Sequence, residues 1–153
     1  MERIVWPHVK ILLLNRLHEI SQTIPSSTLP KIAVVEAAVL LDANWDNNDL
    51  FDAIWVVQSS QKVSSERLVK FRNMDENDAL KRLEAQLSRR GIGNLEDEID
   101  NGCVTAVIEN NGNSSDELWH VIRQTIINPH AWKDGRCLES DNGLIELLMP
   151  KEN

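Results

Sequence analysis

The sequence predicts an α/β fold with a parallel sheet between two layers of helices. Three short apolar runs carry this prediction, at residues 32–41, 53–57 and 103–108. Nearly continuous apolar runs are typical of strands that helices cover on both faces. Helical patterns separate the runs, as crossover connections between parallel strands require.

The first element is predicted to be a helix with Pro7 in its first turn, where a missing N–H costs nothing. One apolar face follows at helical spacing: Val9, Leu12, Leu13, Leu17 and Ile20. His18 lies beside this face, and we interpret it as a partly buried or surface histidine. The turn-rich residues 24–27 end the helix before the first strand.

Residues 32–41 and 53–57 are the first two predicted strands, and polar segments follow both. Ligands of open parallel sheets bind just beyond the carboxyl ends of the strands. Residues 42–49 and 58–62 should therefore flank a crevice.

Positive charge is concentrated in residues 61–90, which hold eight basic and five acidic residues. The net charge of this segment is +3, and that of the rest of the chain is −11. Arginine-rich surfaces suit phosphate, because the planar guanidinium donates paired hydrogen bonds. The alternative is a pair of solvated helices with ion pairs, for which Asp78 and Arg82 are a candidate. Asp75 is predicted to cap the second helix, whose buried stripe would be Leu80, Leu83 and Leu87.

Beyond a break at residues 91–94, the sequence predicts an acidic helix, a strand, a turn and a last helix. We interpret the acidic residues as a solvated helix rather than a cation site: Glu96, Asp97, Glu98 and Asp100. The strand at 103–108 leads into Asn110, Asn111 and Gly112, which suit a turn with positive φ. Ser114 or Ser115 caps the last helix, whose inward residues would be Leu118, Trp119, Ile122 and Ile126. From residue 129 we expect an extension that packs loosely, through Trp132 and residues 144–148, or is disordered.

Composition excludes several classes of protein. The chain has 153 residues, 42% of them hydrophobic, which is enough for one core. A net charge of −8 argues against a general nucleic-acid binder. Two cysteines without metal-ligand spacing predict neither a zinc site nor a disulfide, and no apolar run is long enough for a membrane span. We expect a cytoplasmic protein, or one in an organelle.

Four segments together resemble one enzyme family. They are AAVLLDANW followed by DAIWVV, the arginine-bearing residues 64–86, VIENNG at residues 107–112, and Trp6-Pro7 at the opening of the first helix. This combination is similar to the dephospho-coenzyme A (dephospho-CoA) kinases, and closest to the kinase domain of eukaryotic bifunctional coenzyme A synthase. The resemblance implies a P-loop kinase-like fold over residues 1–127, with a helical lid at about 60–92 and a C-terminal extension at 128–153.

The resemblance also implies roles for individual residues. Arg67 corresponds to a lid arginine that binds ATP phosphates, while the family's second arginine falls on Phe71, so that Arg72 would have to replace it. The resemblance places Asn110, Asn111 and Gly112 on the adenine side of the site. It places Leu41, Asp42 and Trp45 on the side of the acceptor substrate. ATP and Mg²⁺ are the implied cofactors, and no residue is assigned as catalytic or as a metal ligand.

The phosphate-cradling motif of such kinases, G-x-x-x-x-G-K-[ST], does not occur in the sequence. In the family this loop follows the first strand and the catalytic Asp follows the second, and the sequence begins after both. The fold is therefore expected to be N-terminally incomplete, without its first two strands. Either the strands close up on each other, or a partner chain or an upstream segment completes the sheet.

Two functional hypotheses follow. The first is a dephospho-CoA kinase-related transferase that phosphorylates the 3′-hydroxyl of dephospho-CoA in coenzyme A biosynthesis and is inactive as this isolated chain. The second is a non-catalytic, degenerate kinase-like module for binding or interaction. The partners implied are a nucleotide and dephospho-CoA, with no nucleic acid and no membrane.

Overall fold

The computed structural model describes residues 2–23, 32–46 and 50–133, which contain five α-helices, a 3-10 helix and a two-stranded parallel sheet. The protein is therefore mixed α/β. These residues divide between two compact units, one of residues 2–23 and 32–45, the other of residue 46 and residues 50–133. None of the helices in these ranges is long and apolar enough to cross a bilayer.

The first unit contains helix α1, Glu2–Thr23. The helix begins earlier than predicted, and Pro7 lies inside it rather than in its first turn. The proline ring has no N–H to donate to the carbonyl of residue 3, so one helical hydrogen bond is lost. The predicted apolar face is only partly covered, since Leu12 is 67% exposed while Leu13, Leu17 and Ile20 are half-buried.

The predicted strand at residues 32–41 is wrong. Residues 32–37 have no regular secondary structure, and residues 38–46 form successive turns in which Ala43 N–H donates to Val39 at 2.9 Å. A strand needs hydrogen bonds to a neighbouring strand, and this segment pairs with no strand in the described part of the chain. Val34, in the same segment, is 87% exposed. The turns are anchored by Leu41 and Trp45, both buried, and by an edge-to-face contact of Trp45 with Trp6.

The second unit is built on strands β1, Trp55–Gln58, and β2, Ala106–Glu109, which pair in parallel with Trp55 opposite Ala106. Three helices form the connection between them: α2, Gln61–Arg72; α3, Glu76–Gln86; and α4, Leu95–Asp100. Helix α5, Ser115–Ile126, follows β2, and the 3-10 helix is Pro129–Ala131. Parallel strands need such a long connection, because the chain must return to the same end of the sheet.

Both strands are shorter at their amino ends than the apolar runs predicted. The Thr105 hydroxyl accepts a hydrogen bond from Ile54 N–H at 3.1 Å and donates to the Ile54 carbonyl, and thus replaces part of the ladder. Among the described residues the sheet has two strands, not the larger parallel sheet that the sequence predicts. The pairing in the structure is between β1 and β2, and residues 32–41 take no part in it.

The predicted helix caps are confirmed for Asp75 and Ser114. The Asp75 side chain accepts from Asn77 N–H, and the Ser114 hydroxyl accepts from Glu117 N–H at 3.2 Å. Ser60 caps α2 in the same way. Such caps satisfy amides that have no partner within the helix.

The core of the second unit differs in part from prediction. Its buried apolar residues are Ile54, Ala79, Val104, Ile108, Ile126 and Ala131. Trp119 is 41% exposed and Leu87 is 60% exposed, so neither is an inward residue of its helix as predicted. Leu80 lies just at the surface, at 37%.

Trp132 belongs to this core rather than to a loose extension. Its ring meets Trp55 edge to face at a centroid distance of 5.4 Å, and its Nε1 donates to the Ile126 carbonyl at 3.0 Å. Lys133 N–H donates to the Asp52 carbonyl at 2.7 Å. The predicted contacts of residues 144–148, like the turn at 24–27, lie outside the described residues.

Candidate functional site

The carboxyl ends of β1 and β2 meet in a small polar cluster, the strand-end site, formed by Ser60, Arg67 and residues 110–112. Asn110 N–H donates to the Gln58 carbonyl at 2.7 Å, which extends the pairing by one residue. Ser60 N–H donates to Asn111 Oδ1 at 2.7 Å. The start of α2 and the turn after β2 are therefore tied together where a parallel sheet binds its ligands.

Arg67 reaches this turn from the second turn of α2. Its Nη1 donates to the Asn110 carbonyl at 2.9 Å, and its Nη2 donates to the Gly112 carbonyl at 2.8 Å. A longer contact joins Nη2 to Asn110 Oδ1 at 3.4 Å. One guanidinium thus bridges two carbonyls of the turn, which is the geometry that a planar fork of donors allows.

The acceptors around Arg67 are neutral. The ion pairs between described residues are Arg16 with Glu19, Lys81 with Asp78, and Arg90 with Asp46 and Glu98, and Arg67 is in none of them. Its side chain is half-buried, and no carboxylate oxygen of the described residues forms an ion pair with it. Such a cation favours an anion nearby more than a paired one does.

The structure brings together two of the predicted groups of site residues. Arg67 touches Asn110 and Gly112 directly, and Asn111 holds the start of α2. Arg72, five residues further along α2, is exposed and is not part of this cluster, because five residues turn a helix by about 140°. The predicted phosphate-binding role of Arg72 remains a prediction.

The predicted substrate-side residues belong to the first unit. Leu41 and Trp45 are buried there, and Asp42 is exposed. Of the three, Asp42 alone presents its side chain to solvent.

The turn at residues 110–112 does not have the positive φ predicted for it. The left-handed conformation occurs instead at Asn44, Asn73, Gly91 and Gly102. Gly112 is close to Glu117, whose carboxylate would overlap a Cβ at this position.

A second polar cluster, which sequence reasoning missed, surrounds Arg90. Its Nε and Nη2 donate to Glu98 at 2.6 and 2.8 Å, and its Nη1 and Nη2 donate to Asp46 at 2.9 and 2.8 Å. Both carboxylates are buried. The acidic helix α4 is therefore not simply solvated: Glu98 is 4% exposed, whereas the adjacent Ile99 is 42% exposed.

Electrostatics keep this cluster ionised. The hydrogen bonds from Arg90 hold the pKa of Glu98 below its ordinary value. Burial opposes ionisation of Asp46, but the hydrogen bonds and charge of Arg90 outweigh it and lower that pKa as well. Hydrogen bonds to Glu98 and Asp46 raise the pKa of Arg90. Burial, together with the two carboxylates, raises the pKa of the Cys103 thiol, which favours its neutral form.

The donor set of this cluster does not favour a metal ion. One ligand atom each from Asp46, Glu98 and Cys103 lie within 4.8 Å of one another. All four carboxylate oxygens, however, already accept hydrogen bonds from Arg90. A cation would have to displace the guanidinium and compete with its charge, and a protonated thiol is a poor ligand.

A shallow crevice of about 660 Å³ lies on one face of the sheet, beside α4. Its lining includes Glu96, Asp97 and Glu109, and no basic residue. Three carboxylates repel phosphate groups. The strand-end site is therefore a better candidate for an anionic ligand than this crevice.

The chain was compared with known proteins in three ways. Neither the family models, nor the curated proteins, nor the solved structures include a match to it. The candidate site therefore stands on its own geometry.

Proposed function

We propose that this chain is a dephospho-CoA kinase-related domain that binds a nucleotide at the strand-end site. One observation carries the proposal: Arg67 lies against Asn110 and Gly112 at the carboxyl end of two parallel strands. These residues, separated by more than forty positions, are the ones to which the family resemblance assigns the two sides of ATP.

The chemistry of the site supports an anionic ligand. Arg67 brings a positive charge that is in no ion pair with a described carboxylate. By the resemblance, the adenine ring would bind backbone groups of this turn other than those that already bond Gln58 and Arg67. With Mg²⁺ and ATP, such a domain would transfer the γ-phosphoryl group to the 3′-hydroxyl of dephospho-CoA mainly through positioning and charge neutralisation.

Turnover would require parts that these 153 residues do not contain. The sequence has no phosphate-cradling G-x-x-x-x-G-K-[ST] loop, and the resemblance assigns it no catalytic base. We propose that the isolated chain does not phosphorylate dephospho-CoA and that an upstream segment or a partner chain supplies the loop. The substrate-side roles of Leu41, Asp42 and Trp45, the P-loop kinase-like fold and a cytoplasmic or organellar location are parts of the same proposal.

The second candidate is a non-catalytic, kinase-like interaction module. It is favoured by the outer edge of β1, which pairs with no strand in the described ranges, and by Val57, 60% exposed on that strand. An open edge can accept a strand from another chain. This candidate shares the fold of the first but requires no nucleotide.

Titration of the 153-residue chain with Mg-ATP, and separately with dephospho-CoA, tests both candidates once circular dichroism has established cooperative folding. Amide chemical shifts locate the ligand. With Mg-ATP we expect changes at residues 59–62 and 110–112, and none at residues 95–99 beside the acidic crevice. A folded chain that binds neither ligand, or whose shifts change only beside the crevice, would refute the nucleotide site and favour the interaction module.

Enzyme activity provides an independent check. The purified chain should show no formation of coenzyme A above background with Mg-ATP and dephospho-CoA. Turnover by this chain alone would contradict the proposed need for an external phosphate loop. An in-frame G-x-x-x-x-G-K-[ST] upstream of Met1 in the gene would support the kinase over the interaction module.

A further inference from the structure

We propose that Arg67 is a positioning residue, which holds the turn at residues 110–112 in place and does not grip phosphate. The inference rests on the contacts of its guanidinium and refines the proposed nucleotide site. It assigns Arg67 to the adenine side of that site, whereas the sequence resemblance assigns it to the phosphate side.

The guanidinium of Arg67 already donates hydrogen bonds to the turn from both of its terminal nitrogens. Arginine has five N–H donors, and two of its N–H bonds can point in the same direction toward one phosphate. Such a pair comes either from Nη1 and Nη2 or from Nε and Nη2, so that Nη2 always takes part. Here Nη2 faces two acceptors, the Gly112 carbonyl and Asn110 Oδ1, and Nη1 bonds the Asn110 carbonyl. Gripping a phosphate with two parallel bonds would therefore require Arg67 to release part of the turn.

The turn that Arg67 holds also joins the end of β1 to the start of α2. Asn111, between the two carbonyls that Arg67 holds, accepts from Ser60 N–H at 2.7 Å, and Asn110 N–H bonds the end of β1. Ser60 is also the cap of α2. By fixing the turn, Arg67 thus fixes the junction between β1 and α2 through hydrogen bonds to residues 110 and 112.

Amide hydrogen exchange tests this role without any ligand. The reporters are Ser60 N–H and Asn110 N–H, and Ala79 N–H in the buried part of α3 serves as the internal reference. In Arg67→Met we expect exchange at both reporters to rise by about tenfold, because local opening governs exchange and charged hydrogen bonds are lost. Exchange at Ala79 should stay within about twofold of the unmodified chain.

Two further variants separate geometry from charge. Lys70→Met removes a positive charge from the same helix at an exposed position outside the strand-end site, and it should leave the reporters unchanged. Arg67→Lys keeps the charge but cannot bridge two carbonyls in a fixed plane, so exchange should rise nearly as much as in Arg67→Met. Unchanged exchange in Arg67→Met, or an equal rise at Ala79, would overturn the positioning role.

Binding of three probes then decides between the two sides of the site: adenosine, pyrophosphate and Mg-ATP. For a positioning residue, Arg67→Met should weaken adenosine and Mg-ATP by the same factor and leave pyrophosphate unchanged. Weaker pyrophosphate and Mg-ATP with unchanged adenosine would make Arg67 a phosphate ligand and overturn the inference. If the unmodified chain binds none of the three, the proposed nucleotide site fails, while the exchange measurements still decide whether Arg67 holds the turn.

Discussion

Arg90→Met is the most informative test of how the second unit is held together. The change removes the guanidinium that bonds all four carboxylate oxygens of Asp46 and Glu98. Weaker support would remain from Asn94 Nδ2 at Glu98 and from the Cys103 thiol at both carboxylates. Both residues are less than 8% exposed, so two negative charges would remain buried side by side.

Breaking a buried ion pair by removing one partner costs about 3 to 5 kcal/mol. The Arg90 side chain is 27% exposed, so water can reach the gap and the lower end of this range applies. We therefore expect Arg90→Met to lower the free energy of unfolding by about 3 kcal/mol. This is a large part of the roughly 5 to 15 kcal/mol that stabilises a typical domain.

Urea unfolding followed by circular dichroism measures this loss. Arg89→Met is the matched control, because Arg89 is adjacent and exposed, and it should change stability by less than about 0.5 kcal/mol. Neutralising the carboxylates as well, in Arg90→Met with Asp46→Asn and Glu98→Gln, should recover part of the loss. If Arg90→Met costs no more than Arg89→Met, the cluster does not stabilise the fold.

The pH dependence gives a second signature of the same cluster. The folded pKa values of Asp46 and Glu98 are lowered, so their contribution is complete above the ordinary carboxyl pKa of about 4 and is lost as the pH falls below it. Without Arg90 the buried, unpaired carboxylates should have raised pKa values. The stability of Arg90→Met should then increase from pH 7 to pH 5, while that of the unmodified chain stays nearly flat with respect to these two groups. A parallel pH dependence for both chains would contradict this account.

Two further pairs of variants test local features of the second unit by thermal or urea unfolding. Gly93→Ala should cost more than Gly102→Ala, because a Cβ at Gly93 would overlap the Leu87 backbone carbonyl, whereas Gly102 has open space and only a positive φ, worth about 1 kcal/mol. Equal losses would mean that the loop relaxes without cost. Ser114→Ala should lose about 1 kcal/mol as the cap of α5 is removed, and Ser115→Ala, one residue further on, should lose clearly less. Indistinguishable serine variants would show that the cap bond contributes nothing measurable.

The candidate site was predictable only in part. The family resemblance selected Arg67 and residues 110–112, and the structure joins them, but it turns the guanidinium toward carbonyls instead of leaving a free fork. The cluster around Arg90 has no motif. Its sole sequence signal is that Glu98 lies three residues after Leu95, and therefore on the same face of the short helix α4. Ile99, which is more apolar, lies on the neighbouring face and would be the expected buried residue.

The sequence by itself determined the α/β class, the helices of the second unit and the caps at Asp75 and Ser114. These features depend on groups a few residues apart, so periodicity and capping suffice to predict them. Tertiary structure decided that residues 32–41 form no strand, that β1 pairs with β2, and that Glu98 is buried in place of Ile99. A strand needs a partner's backbone, and a buried carboxylate needs a distant guanidinium. Only the folded chain brings such groups together.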